Sequence, residues 1–145
     1  MDTAIIGIGK GWEKVKELDC QTWGLSSLFR RYKGCTKYFD IHRPSVHKNM
    51  LEGIPAVFED TFPFGELIYE FGPVFHSSVS WLLGYAYLLG YTKIGLYGIN
   101  MEHGSEYGKQ RDSLFYMLGN LSARGVEVII PEDSGIALSK KLYGV

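Results

Sequence analysis

Four short groups of residues in this sequence could carry chemistry, and the first is rich in glycine. Gly7, Gly9 and Gly11 close an apolar run, with Lys10 between them. Glycine lets a backbone approach a phosphate closely, and a helix that begins there adds N–H donors and a positive dipole. We therefore expect Gly9, Lys10 and Gly11 to hold an anion; the alternative is a tight strand-to-helix turn that simply needs glycine. Trp12 stands where a dinucleotide fingerprint needs its third glycine.

The second group pairs a carboxylate with an imidazole. Asp40 ends a run rich in β-formers, and His42 follows two residues later. The carboxylate could accept hydrogen bonds from ribose or sugar hydroxyls, and the imidazole could donate, accept or titrate. The structural alternative is a capping aspartate beside a surface histidine.

The third group lies at the start of an apolar segment of helical length. Ser77 and Ser78 precede that segment. Their hydroxyls, together with the N–H groups at a helix start, could hold an anion or a ligand carbonyl. Plain N-capping is the alternative, since every helix start needs partners for its first N–H groups. Both interpretations can hold for different serines.

The fourth group belongs to the longest predicted helix, over residues 105–124. At about 100° per residue, one face of this helix carries Tyr107, Arg111, Leu114, Leu118 and Leu121. A guanidinium left unpaired against a core is costly. We therefore expect Arg111 to meet a ligand phosphate or carboxylate, Glu106, or another acid such as Asp40. The neighbouring Gln110 could read an amide or a base edge, and the loop before the helix adds Asn100, Glu102 and His103.

The elements that must position these groups alternate between strand and helix. The apolar runs predict strands at residues 3–8, 20–25, 36–41, 54–58, 92–97 and 126–130. Helical patterns cover residues 12–18, 26–31, 78–89 and 105–124, with a tail helix over 133–142; residues 59–73 predict an ordered loop. This alternation is typical of one α/β, Rossmann-like domain over residues 1–145, with an open, mostly parallel sheet and helices on both faces. Ligands of such sheets bind outside the carboxyl ends of the strands, where all four groups fall.

Composition excludes several classes of partner. The chain has 145 residues, and 15 basic against 16 acidic side chains give a net charge of −1, without the basic excess of a nucleic-acid binder. No apolar run approaches the ~20 residues of a membrane span. Cys20 and Cys35 have no metal-ligand spacing, and the default is free thiols in a reducing cytoplasm. The four histidines are too scattered to predict a metal, and the cofactor stays unknown from the sequence.

Several motifs resemble a family of small Rossmann-like proteins found in tailed phages. The matching segments are residues 7–12 (GIGKGW), 22–25 (TWGL), 38–42 (YFDIH), 78–80 (SVS), 95–100 (GLYGIN), 106–111 (EYGKQR) and 125–134 (GVEVIIPEDS). In the same order they more distantly resemble the 6-hydroxymethylpterin diphosphokinase-like and motility accessory factor superfamily. That resemblance implies a glycine-rich first loop and a G-x-D strand end that face a nucleotide or nucleotide sugar.

This chain departs from those relatives in two places. Lys10 and Gly11 stand where they often carry Pro-Ser, and Asn100 replaces the aspartate of the strand end. The loss of that carboxylate weakens a metal-dependent transfer mechanism. The helix from Ser78 is also similar to that of nucleoside deoxyribosyltransferases, but Leu82 occupies the position of their nucleophilic glutamate. Leucine cannot attack an anomeric carbon, so that chemistry is disfavoured.

Three functions remain open. In the first, the protein binds a nucleotide-derived or phosphorylated small molecule at the strand ends without turnover; in a phage, sequestering a nucleotide signal would serve anti-defence in the host cytoplasm. In the second, it is a transferase or hydrolase of a nucleotide or nucleotide sugar, with Asp40, His42, His103 and Glu106 as acid–base candidates. In the third, it is a structural or interaction protein. The aromatic segment 58–75 adds the expectation of a homo-oligomer.

Overall fold

Six parallel strands form one sheet in the order β4-β3-β2-β1-β5-β6. The computed structural model describes residues 1–42, 44–45, 48–101, 106–137 and 142–145. The strands are β1 (Thr3–Ile6), β2 (Gln21–Leu25), β3 (Lys37–Asp40), β4 (Ala56–Phe58), β5 (Lys93–Tyr97) and β6 (Glu127–Ile129). This arrangement confirms the Rossmann-like fold class and all six predicted strands.

The central strand β1 is apolar because both of its faces are covered. All four of its residues are buried, as expected of a strand inside a parallel sheet. β4 is an edge strand, which agrees with Pro55 immediately before it. The chain runs outward from β1 to β4 and then returns to the other side of β1 with β5. The strand order therefore reverses between β1 and β5, and that reversal is a topological switch point.

Helices cover the two faces of the sheet unequally. One face carries three α-helices: α1 (Phe64–Phe71), α2 (Ser78–Leu88) and α3 (Glu106–Ala123). The other face carries two short 3-10 helices, Trp12–Glu17 and Ser26–Arg30. Successive residues of β1 alternate between these two cores, with Ile5 facing the α-helices and Ile6 facing the 3-10 helices. The expectation of helices on both faces is confirmed.

Two local expectations were wrong. The segment expected to be a loop, residues 59–73, contains α1, which buries Leu67 and Phe71 one turn apart. The tail helix expected over 133–142 is absent from its described part, because residues 133–137 form turns. Most rings of the aromatic segment pack inward, although Tyr69 is 92% exposed. Cys20 and Cys35 are free thiols, as expected.

Alkaline pH should weaken the fold through Tyr38. Its ring is fully buried, and its hydroxyl donates to the Tyr32 carbonyl and accepts from the Cys35 N–H at 3.3 Å. Burial raises the pKa of Tyr38 well above its usual value of about 10. The unfolded chain then ionises first, so this contribution to stability is complete below about pH 10 and is lost as pH rises towards the folded pKa.

The Tyr38→Phe variant tests this sign. At pH 7 it should lose about 1–3 kcal/mol, since two buried backbone groups lose their partner. Its free energy of unfolding should then fall less steeply between pH 9 and 11 than that of the wild type. A residual slope is expected from Cys35, whose pKa burial also raises. Urea unfolding across this range provides the measurement, and parallel slopes for the two proteins would exclude Tyr38 as the source.

Candidate functional site

A cleft of about 840 Å³ opens at the carboxyl ends of β1 and β5. Its walls come from the loops after β1, β3 and β5, the start of α2, and one residue of α3. Six of the predicted site residues line it: Gly9, His42, Ser77, Ser78, Asn100 and Gln110. The cleft therefore brings together parts of all four sequence groups at the topological switch point.

Glycines form the floor of the cleft because the ends of two neighbouring strands, β1 and β5, lie in direct contact there. The N–H of Gly9 donates to the carbonyl of Gly98 at 2.8 Å, and Gly7 donates to Tyr97 at 2.8 Å. A Cβ on Gly7 would overlap the Gly98 carbonyl oxygen, and a Cβ on Gly98, whose φ is +68°, would lie 2.7 Å from the Gly7 carbonyl oxygen. Close approach of backbone thus explains these glycines, and the Gly9 N–H is already engaged.

The other two residues of the glycine loop lie beside the cleft rather than in it. Lys10 is exposed and is not among the lining residues. Gly11 has φ +95° and precedes the 3-10 helix Trp12–Glu17 as its N-cap. A residue with a side chain rarely adopts this left-handed conformation, so Gly11 has a structural reason to be glycine.

Asp40 and His42 form a pair at the end of β3. The Asp40 side chain is fully buried, whereas the His42 side chain is 50% exposed and lines the cleft. His42 Nδ1 lies 3.0 Å from Asp40 Oδ1. When Nδ1–H donates to the carboxylate, the tautomer is fixed and Nε2 is the ring nitrogen that can accept a proton. The buried carboxylate therefore holds the imidazole that lines the cleft.

The start of α2 forms part of one wall of the cleft. Ser77 is the N-cap, and its hydroxyl accepts from the Ser80 N–H at 3.1 Å. Ser78 and Val79 occupy the first turn, where N–H groups have no acceptor within the helix, and both line the cleft. The capping interpretation holds for Ser77, and the first turn of α2 forms part of the cleft wall.

Arg111 has partners that the sequence did not indicate. Its guanidinium donates to the carbonyl of Gly135 at 3.0 Å and to that of Met101 at 3.5 Å, and it lies 4.9 Å from the centre of the Phe115 ring. Asn100 adds to the same connection, since its Oδ1 accepts from the Gly135 N–H at 3.3 Å. Arg111 thus holds the loop after β5 against the segment after β6, and it does not line the cleft.

The Arg111→Ala variant should destabilise the protein by about 2 kcal/mol. It loses the hydrogen bond from the guanidinium to Gly135, and a hydrogen bond from a charged group contributes roughly 1.5–3 kcal/mol. Arg111→Lys is the matched control, since it keeps the charge but loses the two-armed donor, and it should recover part of the loss. Chemical unfolding measures both. An unchanged free energy of unfolding in Arg111→Ala would contradict this structural role.

Three predicted site groups fall outside the described part of the chain. They are His103 as a whole and the side chains of Glu106 and Tyr107. The apolar wall of the cleft, in turn, was not predicted from the sequence. Phe75 and Trp81 stack there with ring centroids 4.1 Å apart and planes 10° from parallel. The available signal was Trp81, which lies one helical turn after Ser77.

A second, more open groove of about 560 Å³ adjoins the cleft. It is lined by Ile41, Phe64, Gly65, Ile68 and Trp81. Ile41 and Trp81 belong to the walls of both. A ligand in the cleft could therefore extend onto an apolar surface next to it.

Two kinds of feature are missing from the described ranges of the chain. No three side chains of His, Cys, Asp or Glu type come together there to hold a metal ion. In the same ranges, no helix combines the length and the apolar character that crossing a bilayer requires.

Comparisons with known proteins give a match in structure only. No protein-family model matches the chain, and no curated protein matches it significantly. Two solved structures of the sialyltransferase CstII from Campylobacter jejuni are similar to it. The complex with the substrate analogue cytidine-5'-monophosphate has a TM-score of 0.53 at 14% identity over 92% of this chain and 81% of that chain. The complex with CMP-3FNeuAc has a TM-score of 0.50 at 12% identity, over 99% and 92%. At these identities the likeness is one of fold, and this chain shares the architecture of that sialyltransferase.

Proposed function

We propose that the protein binds a nucleotide-derived or otherwise phosphorylated small molecule in the cleft between β1 and β5. The observation that carries the proposal is the position of this 840 Å³ cleft at the switch point of the sheet. Open parallel sheets bind their ligands at that point. The structural neighbours hold cytidine-5'-monophosphate and CMP-3FNeuAc, which supports a nucleotide as the chemical class.

The lining of the cleft suits a nucleotide in size and chemistry. The stacked rings of Phe75 and Trp81 offer an aromatic surface for a base. His42, Asn100 and Gln110 offer polar side chains for ribose hydroxyls or phosphate oxygens from other walls. This combination of an apolar wall with a few convergent polar groups is typical of small-molecule sites.

A transferase or hydrolase acting on a nucleotide or nucleotide sugar is the second candidate. The pairing of buried Asp40 with cleft-lining His42 favours it, because a histidine held in one tautomer is suited to general acid–base catalysis. The adjoining groove that shares Trp81 favours transfer over hydrolysis, since it gives a second reactant room beside the first.

Sequestration without turnover, as in anti-defence by a phage, differs from catalysis in the fate of the ligand. It predicts that a bound nucleotide leaves the protein chemically intact after prolonged incubation.

Self-association also stays a prediction, and Ile68 and Tyr69 are the exposed apolar residues of α1 that could support it. An interaction protein without a ligand is the remaining hypothesis.

Calorimetric titration with CMP, UMP, AMP and GMP tests the proposal. We expect at least one nucleotide to bind with a stoichiometry of one per chain. The same mixtures, kept overnight and separated by chromatography, distinguish sequestration from turnover. If none of these nucleotides and no nucleotide sugar binds, the proposal is wrong, and the polar groups of the cleft serve the fold alone.

A further inference from the structure

The side-chain amide of Asn100 is held in one orientation at the cleft. Its Oδ1 accepts a hydrogen bond from the Gly135 N–H at 3.3 Å. A backbone N–H can only donate, so the oxygen of the amide must face Gly135 and the amino group must face away from it. Asn100 is half-buried and lines the cleft. The segment after β6 therefore sets which end of this amide is available to a ligand.

The amino group of Asn100 lies beside the glycine loop. Nδ2 is 2.8 Å from the point that a Cβ on Gly9 would occupy, so glycine at this position leaves the room that the amide fills. The preceding Ile99 is held as well, since its carbonyl accepts from Ser134 Oγ at 3.0 Å. No acceptor in the described ranges of the chain takes the protons of this Nδ2. Asn100 thus offers a preorganised hydrogen-bond donor to a ligand in the cleft.

A positive charge reaches the same loop from the other face of the sheet. Arg31 follows the 3-10 helix Ser26–Arg30, and its Nη1 donates to the Ile8 carbonyl at 3.1 Å. Ile8 and Gly9 both line the cleft. The guanidinium keeps further N–H groups beyond this contact. Arg31 forms no ion pair within the described ranges, so no carboxylate there neutralises its charge.

An amide donor and a guanidinium at one loop suit an anionic oxygen. Hydrogen bonds to an ionised acceptor are stronger than those to a neutral one, and arginine is well matched to phosphate. A ribose hydroxyl would accept from Asn100 but would gain little from the charge of Arg31. The described residues that line the cleft include no aspartate or glutamate that would repel an anion. Phosphate is therefore the part of a nucleotide that fits this end of the cleft.

We propose that Asn100 and Arg31 bind the phosphate of the nucleotide at the loop after β1. Asn100 Nδ2 donates to a phosphate oxygen, and Arg31 supplies the opposite charge. The phosphate then lies at the floor of the cleft, while the base lies against the wall formed by Phe75 and Trp81. This inference rests on the proposed function and adds to it the residues that recognise the phosphate.

Calorimetry with matched pairs of nucleoside monophosphate and nucleoside tests the inference. The pairs are CMP and cytidine, UMP and uridine, AMP and adenosine, and GMP and guanosine. In the pair with the tightest-binding nucleotide, the phosphate should improve the affinity of the wild type at least about ten-fold. Equal affinities within that pair would overturn the inference while leaving binding in the cleft intact. If no member of any pair binds, the proposed function fails and this inference fails with it.

The Asn100→Asp variant separates phosphate binding from structural support. The carboxylate has the same shape and still accepts from the Gly135 N–H, so the midpoint of urea unfolding should match that of the wild type. It has no proton to donate and it repels a phosphate, so the nucleotide should lose its advantage over the nucleoside and the ratio should fall to about one. A purely structural role would weaken both members of the pair equally and leave the ratio unchanged, which would overturn the inference.

The Arg31→Gln variant tests the charge, and it does so even if Asn100→Asp fails to fold. Arg31 is exposed, and glutamine keeps an N–H donor for the Ile8 carbonyl. The ratio should fall about five-fold and become less sensitive to salt. Arg30→Gln is the matched control, since the neighbouring Arg30 is also exposed but contacts Met50 and Phe29 instead. Equal losses in the two variants would mean that only the overall charge of the protein matters, and would overturn the role of Arg31.

Discussion

Replacing Gly7 with alanine is expected to destabilise the protein by about 3 kcal/mol or more. The new Cβ would overlap the backbone oxygen of Gly98 and would lie 2.9 Å from Cγ1 of Ile99. Overpacking in a well-packed region typically costs about 1–3 kcal/mol, and the upper end applies because a backbone carbonyl cannot rotate away as a side chain can. The close contact between the ends of β1 and β5 would open, and nucleotide binding should be lost with it. Urea unfolding measures the change in free energy.

Gly119→Ala is the matched control for this substitution. Gly119 lies in α3, is exposed, and has no atom within 4 Å of the position its Cβ would take. Alanine is a better helix former than glycine by about 1 kcal/mol, so this variant should be more stable than the wild type. Opposite signs for the two variants are the expected result. If Gly7→Ala were as stable as the wild type, close backbone contact could not be the reason for glycine at the cleft floor.

The second large effect is expected from Ser78→Trp, which should weaken nucleotide binding about 100-fold or more. Ser78 is the first residue of α2 and lines the cleft, so a large ring there occupies the space of a ligand. A 100-fold loss corresponds to about 2.7 kcal/mol of binding free energy. Stability should change by no more than about 1 kcal/mol, because Ser78 is half-buried at the cleft wall and makes no part of the core. Calorimetric titration with the tightest-binding nucleotide measures the loss.

Ser122→Trp is the control for this effect. Ser122 is exposed near the end of α3 and is not among the lining residues of the cleft. The same substitution there should leave the dissociation constant within about two-fold of the wild-type value, which is less than 0.5 kcal/mol. Equal affinity of the Ser78→Trp and wild-type proteins would mean that the nucleotide binds elsewhere.

The sequence was sufficient to predict the sheet because its strands are short, apolar and bounded by glycine or proline. β1 and β5 are buried along nearly their whole length, so their continuous apolar runs reflect the coverage of both faces. α1 was missed although Leu67 and Phe71 have helical spacing. The helix has only 8 residues and follows Pro63 in a segment rich in aromatics, where helix and loop are difficult to distinguish.

The candidate site was predictable as a place rather than as a set of contacts. Strand order brings the four groups to one edge of the sheet, and this follows from the alternation of elements. The partners of Arg111 do not follow from the alternation of elements. Gly135 lies beside the guanidinium because of the path that the chain takes after β6, which the alternation does not determine.

Helical periodicity correctly predicted Leu114 and Leu121 as core. It missed Met117, which is fully buried, while Leu118 is only partly buried.

Mass spectrometry of the small molecules released by denaturing the freshly purified, desalted protein tests the central claim most directly. The account predicts a nucleotide or nucleotide sugar at close to one molecule per chain from the wild type, and little or none from Ser78→Trp purified in the same way. A wild-type extract without any such molecule, or equal amounts from both proteins, would contradict the claim that the cleft between β1 and β5 is a nucleotide site.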